Sequence, residues 1–132
     1  MRRMWAQKGQ SLIEVLIALA ILGVIAVTFL TALTTGSTAI IIADERTTAE
    51  SLARSELEYV KNSNYDADNN PPQYIEDPNL SYPSNYSVSI EAIRLDPHGD
   101  GTDNDDGIQQ ITVDVYHQGN LVLSTSNYKV NR

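Results

Sequence analysis

The stretch from Gly9 to Leu33, GQSLIEVLIALAILGVIAVTFLTAL, constrains this chain more than any other feature. From Val15 to Ala43 no residue is charged, and the run through Leu33 is nearly pure Val, Ile, Leu, Ala and Phe. That exceeds the ~20 apolar residues that cross a bilayer, so it predicts a membrane helix. Its one charge is Glu14. A carboxylate deep in such a helix costs roughly 2.5 to 3.5 kcal/mol, less near the interface, so Glu14 either snorkels to the headgroups or requires a partner.

Arg2, Arg3 and Lys8 precede the apolar run, whereas the chain as a whole carries a net charge of −8 over 132 residues. The basic start places the N-terminus in the cytoplasm by the positive-inside rule. The acidic remainder repels phosphate backbones, so direct nucleic-acid binding is disfavoured. The chain has no cysteine, which removes disulfides and thiol chemistry. A secretory signal would place a small-residue cleavage site after the apolar region, but Ile40, Ile41 and Ile42 follow there and the helical pattern goes on.

Lys8-Gly9 followed by Gln10-Ser11-Leu12-Ile13-Glu14-Val15-Leu16 resembles the N-terminal signature of the type IV pilin superfamily, which includes type IV pilins, minor pilins and type II secretion pseudopilins. The resemblance covers about the first third of the chain. It implies cleavage between Gly9 and Gln10 by a prepilin peptidase and N-methylation of the new amino terminus at Gln10. It also implies assembly with other pilin subunits through the helix, on an inner-membrane platform, and a Glu14 carboxylate that meets the amino terminus of a neighbour. Two positions depart from the pattern. Gln10 stands where an aromatic residue or Met is usual, and Thr31 stands where many major pilins have a proline, which points to a minor pilin or pseudopilin.

Beyond the membrane stretch, Ala49, Leu52, Ala53, Leu57 and Val60 recur at helical spacing. Glu45, Arg46, Glu50, Arg54, Glu58 and Lys61 take the other positions and read as a wet face, with Glu50–Arg54 and Glu58–Lys61 spaced for weak pairing. Asn62-Ser63-Asn64 stops the helix, giving about fifty residues and roughly 75 Å. Prolines at 71, 72, 78 and 83 then mark a long loop whose Tyr65, Tyr74, Tyr82 and Tyr86 either staple it to the domain or form a contact patch. Tyr86, Val88, Ile90 and Ala92 alternate as a strand, Ile111, Val113 and Val115 repeat the pattern, and Leu121 to Tyr128 forms a third strand after a turn at His117-Gln118-Gly119-Asn120. The expected fold class is α+β, a long helix on a small antiparallel sheet. The expected organisation is a leader at 1–9, a hydrophobic transmembrane and assembly helix at 10–39, an amphipathic helix at 40–62, an αβ-loop at 63–85 and the sheet at 86–132.

The loop at 96–107 holds Asp96, Asp100, Asp103, Asp105 and Asp106. Crowded carboxylates repel unless a hard cation gathers them, so Asp96, Asp100, Asp103 and Asp105 are candidate Ca²⁺ ligands. The spacing only echoes an EF-hand loop: His98 replaces an oxygen ligand and no Glu closes it. A solvated acidic loop is the other reading. His98 and His117 stand alone on predicted turns, and no catalytic triad or phosphate-cradling loop is present, so the sequence does not read as an enzyme. Two functions remain open: a pilin-like structural subunit, or a single-pass anchored binding domain, calcium-dependent if the loop holds a cation, that never polymerises.

Overall fold

A computed structural model describes residues 12–99 and 101–132. The element order is one helix followed by three strands: α1 (Leu12–Asn62), β1 (Tyr86–Arg94), β2 (Ile108–His117) and β3 (Asn120–Val130). The layout is α+β, as the hydrophobic periodicities predict. The chain divides into two compact units, the first ending at Ile41 and the second running from Ile42 to Arg132.

In the first unit α1 exposes its large apolar side chains all round, from Leu12 through Leu33 to Ile41. Such a surface is stable only in lipid or against other apolar surfaces. Its hydroxyls are consumed internally: Thr28, Thr31, Thr34, Thr35 and Thr38 each donate to the carbonyl four residues earlier, at 2.9–3.0 Å. That bonding lets a threonine-rich stretch remain helical away from water.

In the second unit the three strands form an antiparallel meander in the order β1-β2-β3. Register places Val88 opposite Val115, Ile90 opposite Val113 and Ala92 opposite Ile111. The alternation of side chains then gives the sheet one apolar face. Ala49, Leu52, Ala53 and Val60 of α1 close the core with Val88, Ala92, Ile111, Val113 and Val115. The β2–β3 connection is a two-residue turn in which Gln118 and Gly119 both have positive φ, 52° and 81°. That is the primed geometry whose twist suits a hairpin. A bulge between Val115 and Tyr116 shifts the register next to this turn.

The stripe on α1 differs from the sequence expectation at two places. Leu57 is only partly buried, and Glu56 takes the fully buried position between Leu52 and Val60. The surface pairs differ as well. Glu50 takes Arg46 as its partner, at 3.3 Å, rather than Arg54. Both arginines lie one turn away from a carboxylate that one guanidinium satisfies. Neither Arg54, Glu58 nor Lys61 makes an ion pair among the described residues.

Candidate functional site

The expected assembly residue Glu14 lies in the first turn of α1 and is exposed. Around it the helix presents Leu12, Ile13, Val15, Leu16 and Ile17, all exposed. The carboxylate therefore stands within an apolar surface, the setting in which an opposite charge from outside is most strongly directional. The processing positions Gly9 and Gln10 lie outside the described residues.

The second unit is organised around polar groups that the sheet and the αβ-loop bury together. Register aligns Arg94 of β1, Gln109 of β2 and Lys129 of β3 in one row on the helix-facing side. Their exposures are 8%, 0% and 5%. Each donates to backbone carbonyls, as burial demands, although Arg94 Nε has no hydrogen-bond partner among the described residues. Lys129 Nζ donates to the carbonyls of Val60, Lys61 and Ser63, at and just beyond the end of α1. Burial pushes its amine below the usual lysine range. Arg94 donates to the carbonyls of Ala67, Asn69 and Asp103 at 2.6, 3.0 and 3.0 Å, so one guanidinium ties the αβ-loop to the acidic loop. Gln109 closes a ring: its Nε2 donates to the Asp66 carbonyl at 2.6 Å, Tyr74 Oη donates to its Oε1 at 2.5 Å, and the Asp66 N–H donates to Tyr74 Oη at 3.2 Å.

Asp66 itself folds the loop around its carboxylate. Oδ2 accepts from the Gln73 N–H at 2.8 Å and Oδ1 from the Asp68 and Asn69 N–H groups at 3.1 Å. These bonds, that from Gln73 foremost, hold its carboxyl below the usual range. The tyrosines staple the loop inward. Tyr65 donates to Asp105 Oδ1 at 2.7 Å and Tyr82 to Glu56 Oε1 at 2.6 Å. Burial first, then the carboxylate partner, raises the pKa of both hydroxyls. Tyr74 is raised by burial as well. At the other end of the sheet Tyr86 stacks on His117 with ring centroids 4.4 Å apart, and His117 Nδ1 meets Glu45 Oε1 at 2.6 Å. Glu45, expected on the wet face, is thus a tie between α1 and β2, and His117, expected as a lone turn residue, is its partner.

The acidic loop bonds to itself and to the αβ-loop. Asp96 Oδ1 and Oδ2 accept from the N–H groups of Gly99 and Gly101 at 2.6 and 2.8 Å. Asp105 Oδ1 takes the Gly107 N–H in addition to Tyr65, and Asp106 Oδ2 pairs with His98 Nδ1 at 2.9 Å. Asn70 Nδ2 reaches the Thr102 carbonyl and, at 3.4 Å, Asp103 Oδ1. Among the described residues no group of three or more His, Cys, Asp or Glu side chains converges as a metal site. Of the four candidate calcium ligands, Asp96, Asp103 and Asp105 lie among these residues and Asp100 lies outside the described residues. N–H and O–H donors close by divide the described carboxylates among separate partners.

The sequence already carried the signals for the buried polar groups. Glu56 falls on the core stripe four residues from both Leu52 and Val60, Arg94 continues the Val88, Ile90, Ala92 alternation, and Lys129 shares the parity of Leu123, Thr125 and Asn127. Residue type alone argued the other way, because charged side chains are seldom fully buried.

The layout defines a class: an α+β domain whose N-terminal helix continues as an apolar segment long enough to span a membrane. The prokaryotic N-terminal methylation motif matches residues 6–30, so the chain carries the type IV prepilin signature. No curated protein and no solved structure matches the chain. The signature implies processing by prepilin peptidase and assembly with other pilins, and it points to a structural subunit rather than an enzyme.

Proposed function

We propose that this chain is a structural subunit of a type IV pilus or a type II secretion-like pseudopilus. It is inserted in the inner membrane with residues 1–9 in the cytoplasm and the second unit outside. Prepilin peptidase cuts after Gly9, Gln10 is N-methylated, and the subunit is passed by the membrane platform into a filament held by helix packing. The observation that carries this reading is the methylation motif at residues 6–30, a range that includes Gly9, Gln10, Glu14 and the first part of the apolar run of α1. The exposed apolar surface of α1 supports it, since the same side chains suit lipid before assembly and neighbouring helices after it. Threonine at position 31, in place of a proline, favours a minor subunit over a major one. Mass spectrometry of the mature N-terminus tests the reading. A chain beginning at N-methylated Gln10 is expected; retention of Met1 to Gly9 in the membrane-inserted protein overturns it and leaves a plain anchored domain.

A further inference from the structure

The two outer strands of the sheet differ in what protects them. β1 carries Glu91 and is flanked by the αβ-loop, whose Pro71, Pro72 and Tyr74 line one cleft with Ile90 and Ile93. β3 pairs with β2 alone. From Leu123 to Tyr128 it carries neither proline nor charge, two of the devices that keep an edge strand from pairing further. The ladder fixes which of its main-chain groups are open. Asn131 N–H donates to the Gly107 carbonyl at 2.9 Å, and alternation along the strand then turns Asn127, Thr125 and Leu123 toward β2 and Tyr128, Ser126 and Ser124 toward the open edge. The Tyr128 N–H agrees with that parity, since it donates to the side chain of its own neighbour, Asn127 Oδ1, at 2.8 Å. Beside this edge a groove runs between β3 and α1, lined by Ala53, Leu57, Leu123 and Thr125, with Arg54 and Lys61 on its helix side. Past Ile41 the sequence has 16 acidic residues against six basic ones, and two of the six, Arg94 and Lys129, are buried. Of the four exposed cations Arg46 is taken by Glu50, while Arg54 and Lys61 make no ion pair among the described residues. Glu58, in the same groove and also without an ion pair, offsets only one of the two.

We propose that the open edge of β3 takes up an extended, acidic segment of a different protein as a fourth strand. The main chain of that segment pairs with Ser124, Ser126 and Tyr128, its alternate side chains enter the groove, and an acidic one among them meets Arg54 or Lys61. Neither strand edge of a second copy complements the groove: β3 has no Asp or Glu, and the one acid of β1, Glu91, lies on the edge that the αβ-loop flanks. Only the second unit takes part, so this binding stands or falls independently of prepilin processing.

Amide hydrogen exchange on the detergent-solubilised full chain tests this with a capped peptide of about ten residues, in which threonine alternates with valine and glutamate in turn, and with its twin carrying lysine for glutamate. Saturating glutamate peptide slows exchange at Ser124, Ser126 and Tyr128 at least about tenfold and leaves Leu123, Thr125 and Asn127, already paired to β2, unchanged. The lysine twin binds at least about tenfold more weakly, and the double variant Arg54→Glu, Lys61→Glu reverses the preference. Ser126→Pro removes only an outward N–H, so β3 keeps its ladder to β2 while the protection of Ser124 and Tyr128 by peptide is lost. Protection at none of the three edge amides overturns the proposal, as does equal binding of the two peptides, an unchanged preference in the double variant, or a Ser126→Pro chain that the peptide still protects. Protection that rises with protein concentration in the absence of peptide also overturns it and assigns the edge to a second copy.

Discussion

Single side chains in this protein act by where they stand rather than by how many contacts they make. Glu14 is the sharpest case, a carboxylate within an otherwise apolar helix surface. If it registers neighbouring subunits, Glu14→Gln leaves membrane insertion intact, because the amide is easier to bury. It lowers incorporation into filaments at least about tenfold, because a directional charge partner is lost. Membrane fractionation beside sheared-filament yield separates the two effects, and normal filament yield excludes the role. Asp66 gives a second residue-scale test. Its carboxyl is held below the usual range by the Gln73 and Asn69 donors, so the ionised form favours the folded state. That stability is present above the unfolded value near pH 4 and is lost as pH falls through the lower folded value. Asp66→Asn is therefore less stable than wild type at pH 7, and the gap narrows below about pH 4 when the two are compared by urea denaturation.

Among the elements, the sheet shows how turn chemistry and parity work together. Gly119 has φ of 81° with open space where a Cβ would stand, so Gly119→Ala meets no clash and costs only the left-handed backbone. The expected loss is about 1 kcal/mol, a Tm lower by about 5 °C, read by thermal melting of the full chain in detergent. The αβ-loop, by contrast, has no regular hydrogen bonding of its own. It is ordered by side chains that reach out of the sheet and the helix: Arg94, Gln109 and Glu56 each take up its backbone groups. Lys129 does the same at the end of α1, donating to the carbonyls of Val60 and Lys61 and to that of Ser63 just beyond it.

For the molecule as a whole, the sequence alone determined the membrane helix, the prepilin signature, the three strands and the hairpin turn. Each of these depends on local pattern: an uncharged run, a spacing of Gly9, Gln10 and Glu14, a period of two, and a glycine where φ must be positive. Burial of the apolar stripe on α1 by a sheet followed from the same periodicity. The tertiary structure decided which charged residues are buried and what satisfies them. Glu45 meets His117, Glu56 meets Tyr82, and the Arg94–Gln109–Lys129 row meets the loop and the helix end, all across sequence separations that no local pattern encodes. The acidic loop shows the same division. Composition placed five aspartates together, but which N–H and O–H donors the described carboxylates meet depends on which backbone and side chains the fold brings beside them. A pattern along the chain specifies which face is apolar; the partners of a polar atom on that face are fixed only when distant segments come within hydrogen-bond reach.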